Sequence, residues 1–184
     1  MSDALRLASV NVNGIRAAVR NGMHDWLGGA GVDVLTLQEV RATAADLAVA
    51  LPDWHIENDE SHTKGRSGVA IASRVAPVAV RRGLGDDTVD AAGRWIEADF
   101  EVGGQTVCVV SAYVHSGEVD TPKQEAKWLF LDAMGERLAA LSTERPLAVV
   151  TGDLNVGHRE LDIRNWKGNV KRAGLLPRER AYFD

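Results

Sequence analysis

A single cysteine in 184 residues leaves no internal disulfide to organise the fold. Cys108 sits within TVCVV, where a small hydrophobe belongs, and this suits a reducing compartment. No run of about 18 apolar residues occurs, so no helical membrane span is expected. The opening stretch MSDALRLASV lacks the basic segment and long apolar block of a secretory signal. The expected compartment is therefore the cytoplasm, with nucleoid association if the source is bacterial. The glycines follow neither G-x-G-x-x-G nor G-x-x-x-x-G-K-[ST], which removes support for dinucleotide and Walker-type sites. No G-x-S-x-G elbow is present. His24, His55, His62, His115 and His158 show no ligand spacing, so zinc is disfavoured. No repeat, low-complexity tract or linker interrupts the chain.

With 45% apolar residues the chain is long enough for one sizeable core, and a single domain over residues 1–184 is expected. The net charge of −5 argues against a general nucleic-acid coat. Its distribution is uneven. Residues 159–184 hold seven basic residues against four acids, a net of +3, whereas residues 1–158 carry −8 from fourteen basic and twenty-two acidic residues. A basic end on an acidic body suits local contact with a polyanion while carboxylates elsewhere hold a cation; it equally suits a solvated charged tail.

Apolar runs rich in β-branched residues alternate with helical patterns. Strands are expected over 5–12, 32–38, 67–73, 77–82, 94–102, 105–114 and 146–154. In RWIEADFEV, Trp95, Glu97, Asp99 and Glu101 alternate with Ile96, Ala98, Phe100 and Val102, so neither face is simply polar. Helical spacing of Ile15, Ala18, Val19, Gly22, Met23, Trp26 and Leu27 predicts a helix closed by GGAG at 28–31. A second helix opens at Thr121-Pro122-Lys123-Gln124, read as a cap with a capping box, and its buried stripe is Ala126, Leu129, Phe130, Ala133, Leu138 and Leu141. Gly103-Gly104 marks a hairpin. Helices covering sheets with antiparallel pairs point to a layered α/β sandwich.

Four of these strands end in oxygen-bearing side chains. ASVNVNG ends in Asn11 and Asn13, VLTLQE in Gln38 and Glu39, VVSAYVHSG in Tyr113, His115 and Ser116, and VVTGDLN in Asp153 and Asn155. Side by side, such ends gather in one crevice, where sheet-based sites form. Carboxylates and amides without a His/Cys cluster suit a hard cation such as Mg²⁺ beside substrate phosphate. Each element also has a plainer reading: Asn13-Gly14 as a turn, Glu39 as the start of a cap, Gly152-Asp153 as a loop corner. Four in one chain favour the metal-assisted phosphate site.

The same segments, NVNGIRA (11–17), LQEVR (37–41), GRSGVAIASR (65–74), GDDTVDAAGRWIEADF (85–100), SAYVHSGE (111–118), GDLNVGH (152–158) and LDIRNWKGNVKRAGLLPRERAYF (161–183), resemble the endonuclease/exonuclease/phosphatase superfamily. Within it they resemble the exodeoxyribonuclease III branch of AP endonucleases. GDLN and LQE mark the superfamily; RNWKGN followed by GLLPRER marks the branch and speaks against phosphatase or lipid phosphodiesterase relatives. The resemblance implies a four-layer αββα sandwich. It implies Mg²⁺-dependent cleavage of DNA 5′ to an abasic site with accompanying 3′-to-5′ exonuclease activity, Mn²⁺ being an alternative ion. Glu39 would be the principal metal ligand with Asn11 in support, and Asp153 and Asn155 would also border the metal. Asp153 would prepare the attacking water, Asn155 would position water and phosphate, and Tyr113 would bond the scissile phosphate. Arg16, Arg94 and Asn169 would contact DNA. Trp166 would wedge against DNA or anchor a loop.

The family pattern continues beyond AYFD, so the C-terminal part of the fold is expected to be missing and the 184 residues alone to be poorly active. His115-Ser116 and Asp90-Ala91-Ala92-Gly93 depart from residues that relatives carry at those places. The expected partner is double-stranded DNA with abasic sites or 3′ ends, bound by a monomer. The competing reading is an inactive remnant that only binds DNA through residues 159–184.

Overall fold

The computed structural model describes residues 4–184, and the first three residues of the opening stretch lie outside it. The chain divides into two compact units. One comprises the chain up to Tyr113 together with Leu141–Asp153, the other Val114–Ala140 with Leu154–Asp184.

The first unit holds both sheets. Strands β1 (Leu7–Asn11), β2 (Val34–Gln38), β4 (Val69–Ser73) and β3 (His55–Asp59) form one sheet in that order. Strands β5 (Ala79–Arg82), β6 (Trp95–Val102), β7 (Gln105–Tyr113) and β8 (Ala148–Asp153) form the other. β1 runs parallel to β2 and β8 parallel to β7, while the remaining pairs are antiparallel. β6 and β7 are joined through Gly103 and Gly104, whose φ of 57° and 79° are the left-handed values a two-residue hairpin requires.

The period of two along β2 sorts its side chains. Leu35 and Leu37 enter a core with Ile15, Met23, Leu27 and Leu47 from the helices α1 (Ile15–Arg20), α2 (Met23–Ala30) and α3 (Ala44–Ala50). Val34 enters a second core between the sheets, with Val69 and Ile71 from β4 and Ile96, Ala98, Phe100 and Val109 from β6 and β7. Helices, sheet and sheet thus make the α/β sandwich expected from the sequence. Burying each such Leu, Ile or Phe contributes about 1.5–3 kcal/mol.

The same period points Thr36 and Gln38 into the inter-sheet seam. Thr36 Oγ1 meets Thr151 Oγ1 at 2.7 Å, and Gln38 Nε2 donates to Ser111 Oγ at 3.0 Å and to Ser9 Oγ at 3.3 Å. Gln38, read as a crevice residue, is instead a buried rung joining the two sheets. These paired polar groups fix the sheets' relative register because an unpaired one in that seam would cost about 1–3 kcal/mol.

Other expectations change. The first helix breaks at Asn21-Gly22, where Gly22 adopts φ 93°, and its second half leaves Trp26 exposed. Strand β3, HIEND, was invisible as an apolar run. α3 begins at a Thr43–Asp46 capping box, and a one-turn helix α4 (Asp87–Asp90) begins at Asp86, whose carboxylate accepts from Thr88 and Val89 N–H. Both faces of WIEADF are buried: Glu97 and Asp99 are held by Arg81, which takes Glu97 through Nε and Asp99 through both terminal nitrogens.

The second unit contains most of α5 (Pro122–Glu144), a 3₁₀ turn at Glu160–Asp162, and the short helices α6 (Trp166–Asn169) and α7 (Pro177–Ala181). Thr121 does cap α5, accepting from Lys123 N–H at 3.2 Å, but no capping box closes because the Gln124 side chain turns inward to Glu179. The buried residues of α5 are Gln124, Lys127, Phe130, Leu131, Met134 and Leu141; Leu129 is exposed. Among the described residues no helix is long and apolar enough to cross a membrane.

Candidate active site

Asn11 pairs with Gln38 at the end of one sheet, and Tyr113 pairs with Asp153 at the end of the other. Packing the sheets face to face therefore places four strand ends together within the first unit. The Asn11 amide joins them: Nδ2 donates to Glu39 Oε1 at 2.9 Å and to Asp153 Oδ2 at 2.8 Å. The two carboxylate oxygens are thus no further apart than the sum of those lengths. Tyr113 donates to the Glu39 carboxylate as well.

The turn after β2 is what aims Glu39. Its backbone adopts φ 52°, an uncommon left-handed value for a residue other than Gly or Asn. Hydrogen bonds on both sides impose it: Gly14 N–H donates to Glu39 O at 2.7 Å, and Arg41 N–H donates to Ser67 O at 2.9 Å. Asn13, also left-handed at φ 45°, sends its N–H to Asn11 Oδ1 at 3.0 Å. That bond fixes the Asn11 amide with its nitrogen toward the carboxylates. Backbone strain held by its surroundings in this way concentrates at functional sites.

The electrostatics follow from this packing. Burial would push the Glu39 carboxyl up, but hydrogen bonds from Asn11 and Tyr113 and the adjacent Arg41 charge outweigh it and hold it below the usual carboxylate range. Arg41 Nη2 forms an ion pair with Glu39 Oε2. Burial raises the Tyr113 phenol above its ordinary value, and the bond to Glu39 adds to this. Arg94 covers Tyr113 from behind, its guanidinium 4.4 Å from the ring centre and Nη1 donating to Tyr113 O at 3.0 Å. Burial lowers the Arg94 guanidinium's proton affinity, while Tyr113, Glu39 and Asp153 support its charge. Its Nε is buried with no hydrogen-bond partner.

Among the described residues no three His, Cys, Asp or Glu side chains converge as a metal site. Glu39 and Asp153 therefore offer two carboxylates, the remaining positions falling to water or substrate oxygens. That donor set fits Mg²⁺, which keeps several waters and takes one or two carboxylates beside phosphate.

The sequence-expected residues fall into two groups. Asn11, Glu39, Tyr113 and Asp153 come together, with Arg94 against Tyr113. Arg16 stands on α1, mostly exposed, in an ion pair with Asp46 at 3.6 Å; with Arg20 it lines a groove of about 430 Å³ toward α3. Asn155 and Asn169 belong to the second unit. Asn155, at φ 48°, donates from Nδ2 to Val114 O at 2.8 Å, and Asn169 donates to Asn165 O at 2.7 Å at the end of α6. Trp166 lies under Lys167, 5.7 Å from its ammonium. Arg41 escaped notice in the sequence; its only signal was a cation two residues after Glu39.

Residues 8–183 match the Endonuclease/Exonuclease/phosphatase family, and the chain belongs to it. It is 34% identical over 188 residues to the DNA repair nuclease APEX1 of Danio rerio, covering 97% of this chain and 58% of that protein. It is 30% identical over 180 residues to an exodeoxyribonuclease of Bacillus subtilis, covering 97% of this chain and 69% of that one. Among solved structures it resembles the 3′ phosphatase NExo from Neisseria bound to a product DNA hairpin, with a TM-score of 0.85, 26% identity, and coverage of 98% of this chain and 69% of that one. The chain thus spans between about three fifths and two thirds of the length of these relatives.

Proposed function

We propose that this protein is a Mg²⁺-dependent DNA phosphodiesterase that cleaves 5′ to abasic sites and trims 3′ ends in DNA repair. The observation that carries the reading is the single Asn11 amide holding Glu39 and Asp153 in one place, with the Tyr113 phenol on Glu39. Support also comes from the relatives, named as a DNA repair nuclease and an exodeoxyribonuclease, and from a structural neighbour bound to DNA. The working species is a cytoplasmic monomer acting on double-stranded DNA.

In this reading Glu39 is the principal ligand of the ion and Asp153 borders it. The bound ion supplies charge to the phosphate oxygens on which negative charge builds during in-line displacement. Tyr113 stays protonated at neutral pH and gives its hydroxyl hydrogen to a non-bridging phosphate oxygen. Asp153 accepts the proton of the attacking water, a role that requires contact at about 2.6–3.2 Å in the substrate complex. Asn155 orients water and phosphate through its amide. Arg94 keeps the Tyr113 ring in place, and Arg16, with Asn169, takes the DNA backbone. An abasic sugar has no base to unstack, which lowers the cost of turning it into such a site.

The test is nicking of an abasic duplex in Mg²⁺ by the complete protein and by its Glu39→Ala and Asp153→Asn variants. Loss of nicking in both variants with an unchanged fold supports the reading. Retained nicking in both defeats it. DNA binding that persists in EDTA, with no product under any metal, selects the binding-only reading that the basic segment 159–184 allows.

A further inference from the structure

The block GLLPRER, which follows RNWKGN and with it marks the branch, plays no part in the proposed chemistry, yet its Glu179 is completely buried. Glu179, in the first turn of α7, has no exposed side-chain surface, and neither has Lys127 of α5. Their charged atoms meet at 2.8 Å. We propose that Lys127 is a positioning residue for Asn155, and that Glu179 exists to hold the Lys127 ammonium where it can do this. The functional consequence rests on the nuclease reading, whereas the brace itself does not.

The Lys127 ammonium reaches Glu179 Oε1, Asn155 O at 2.8 Å and Ser116 O at 3.3 Å. A buried ammonium is tolerated only with a counter-charge and hydrogen bonds. Glu179 provides the charge and is itself fixed. Its Oε2 accepts from Gly174 N–H at 2.6 Å and Leu176 N–H at 3.0 Å, and its Oε1 accepts from Gln124 Nε2 at 3.1 Å.

The two carbonyls that Lys127 holds are in informative places along the chain. Ser116 is three residues after Tyr113, and Asn155 is two residues after Asp153. Both loops that leave these site-bearing strands are thereby tied to one ammonium. Asn155 takes a left-handed φ of 48°, which asparagine tolerates, and the bond to its carbonyl selects that conformation from those open to the loop. A second bond, from Asn155 Nδ2 to Val114 O, sets the side chain once the backbone is fixed. Gly157 N–H donating to Gly174 O at 2.7 Å joins the same loop to the GLLPRER segment.

A merely structural ion pair and a positioning device respond differently to removal of both charges. Lys127→Met alone strands the Glu179 carboxylate, whereas Lys127→Met with Glu179→Gln removes both charges of the pair and keeps an acceptor for the Gly174 and Leu176 N–H groups. The three proteins, wild type included, are compared by thermal unfolding, by the NMR signal of the Asn155 side-chain amide, and by kcat and KM for an abasic duplex. We expect the double variant to regain most of the melting temperature lost in the single one. Its Asn155 resonance should stay displaced and its kcat should stay reduced on the order of 10- to 100-fold, with KM little changed. Recovery of both kcat and the Asn155 resonance along with stability overturns the proposal. If the single variant does not fold, the double variant decides alone. If the complete wild-type protein does not nick DNA, the nuclease reading fails while the Asn155 resonance still supports the brace by moving or defeats it by staying.

Discussion

Asn11 and Asp153, 142 positions apart in sequence, are joined by a 2.8 Å hydrogen bond across the two sheets, and the same Asn11 nitrogen bonds Glu39 at 2.9 Å. Without that shared donor two carboxylates would face each other and repel. On the proposed function, Asn11→Ala should raise the Mg²⁺ concentration needed for half-maximal nicking and lower kcat on the order of tenfold or more. The fold should survive, since Asn11 ends an edge strand and is exposed. A Mg²⁺ titration of the nicking rate makes the comparison, and a curve superimposable on wild type would remove Asn11 from the site.

Arg94 stacks on the Tyr113 ring and keeps its charge close enough to Glu39 and Asp153 for both to support it. Its stacking and its bond to Tyr113 O depend on a planar, forked cation, so Arg94→Lys should rescue poorly and lose about tenfold in kcat. A direct readout exists in the tyrosine itself. Burial raises the Tyr113 phenol and Arg94 pulls it back down, so Arg94→Met should move its ionisation to still higher pH. Ultraviolet titration in a Tyr182→Phe background isolates the signal, because the chain has only two tyrosines. A downward or null movement would contradict the placement.

How much of this was readable beforehand depends on which residues carry period and which carry partners. The strand ends were legible because continuous apolar runs such as VVTGD stop abruptly at polar groups. Gln38 was misplaced because strand alternation turns this last residue of β2 into the seam, while the left-handed turn that follows aims Glu39 into the site. The α5 stripe was misread since its buried face includes Gln124 and Lys127, and a pattern of apolar residues cannot show that Glu179, 52 positions beyond Lys127, will neutralise one of them. β3 was hidden because HIEND offers one apolar residue in five. Arg41 was hidden because its meaning comes from a left-handed turn, not from its spacing.

The charges on β6 give a stability test away from the site. Arg81 bonds Glu97 at 2.6 Å and Asp99 at 2.7 and 2.9 Å, Arg145 reaches Asp99 at 3.2 Å, and Trp95 Nε1 donates to Glu97 at 2.9 Å. Arg81→Met removes a cation shared by two buried carboxylates and is expected to cost about 3 kcal/mol in urea unfolding. Burial alone would raise Asp99, but Arg81 holds it below its ordinary 3.8. Its contribution to stability is therefore present at neutral pH and lost as acid carries the pH below 3.8 toward the lower folded value. Arg81→Met should flatten that acid limb. A loss under about 1 kcal/mol would reclassify the group as a solvated surface pair.

Asp59 behaves in the opposite sense. Burial, reinforced by the charge of Asp90, pushes its carboxyl up to about 6, against a bond from the Trp95 backbone N–H, and its Oδ2 is buried without a hydrogen-bond partner. The unfolded chain ionises this group near 3.8. The folded state therefore holds the extra proton between those two values, and stability attributable to the group is fully present below 3.8 and lost as the pH rises through about 6. Asp59→Asn keeps an oxygen for the Trp95 N–H and removes the buried charge. It should stabilise the protein at pH 7.5 by about 1 kcal/mol, allowing for the solvent that still reaches the site. At pH 3.5 the gain should vanish. Denaturation midpoints at the two pH values distinguish this from a general effect of the substitution, which would shift both equally.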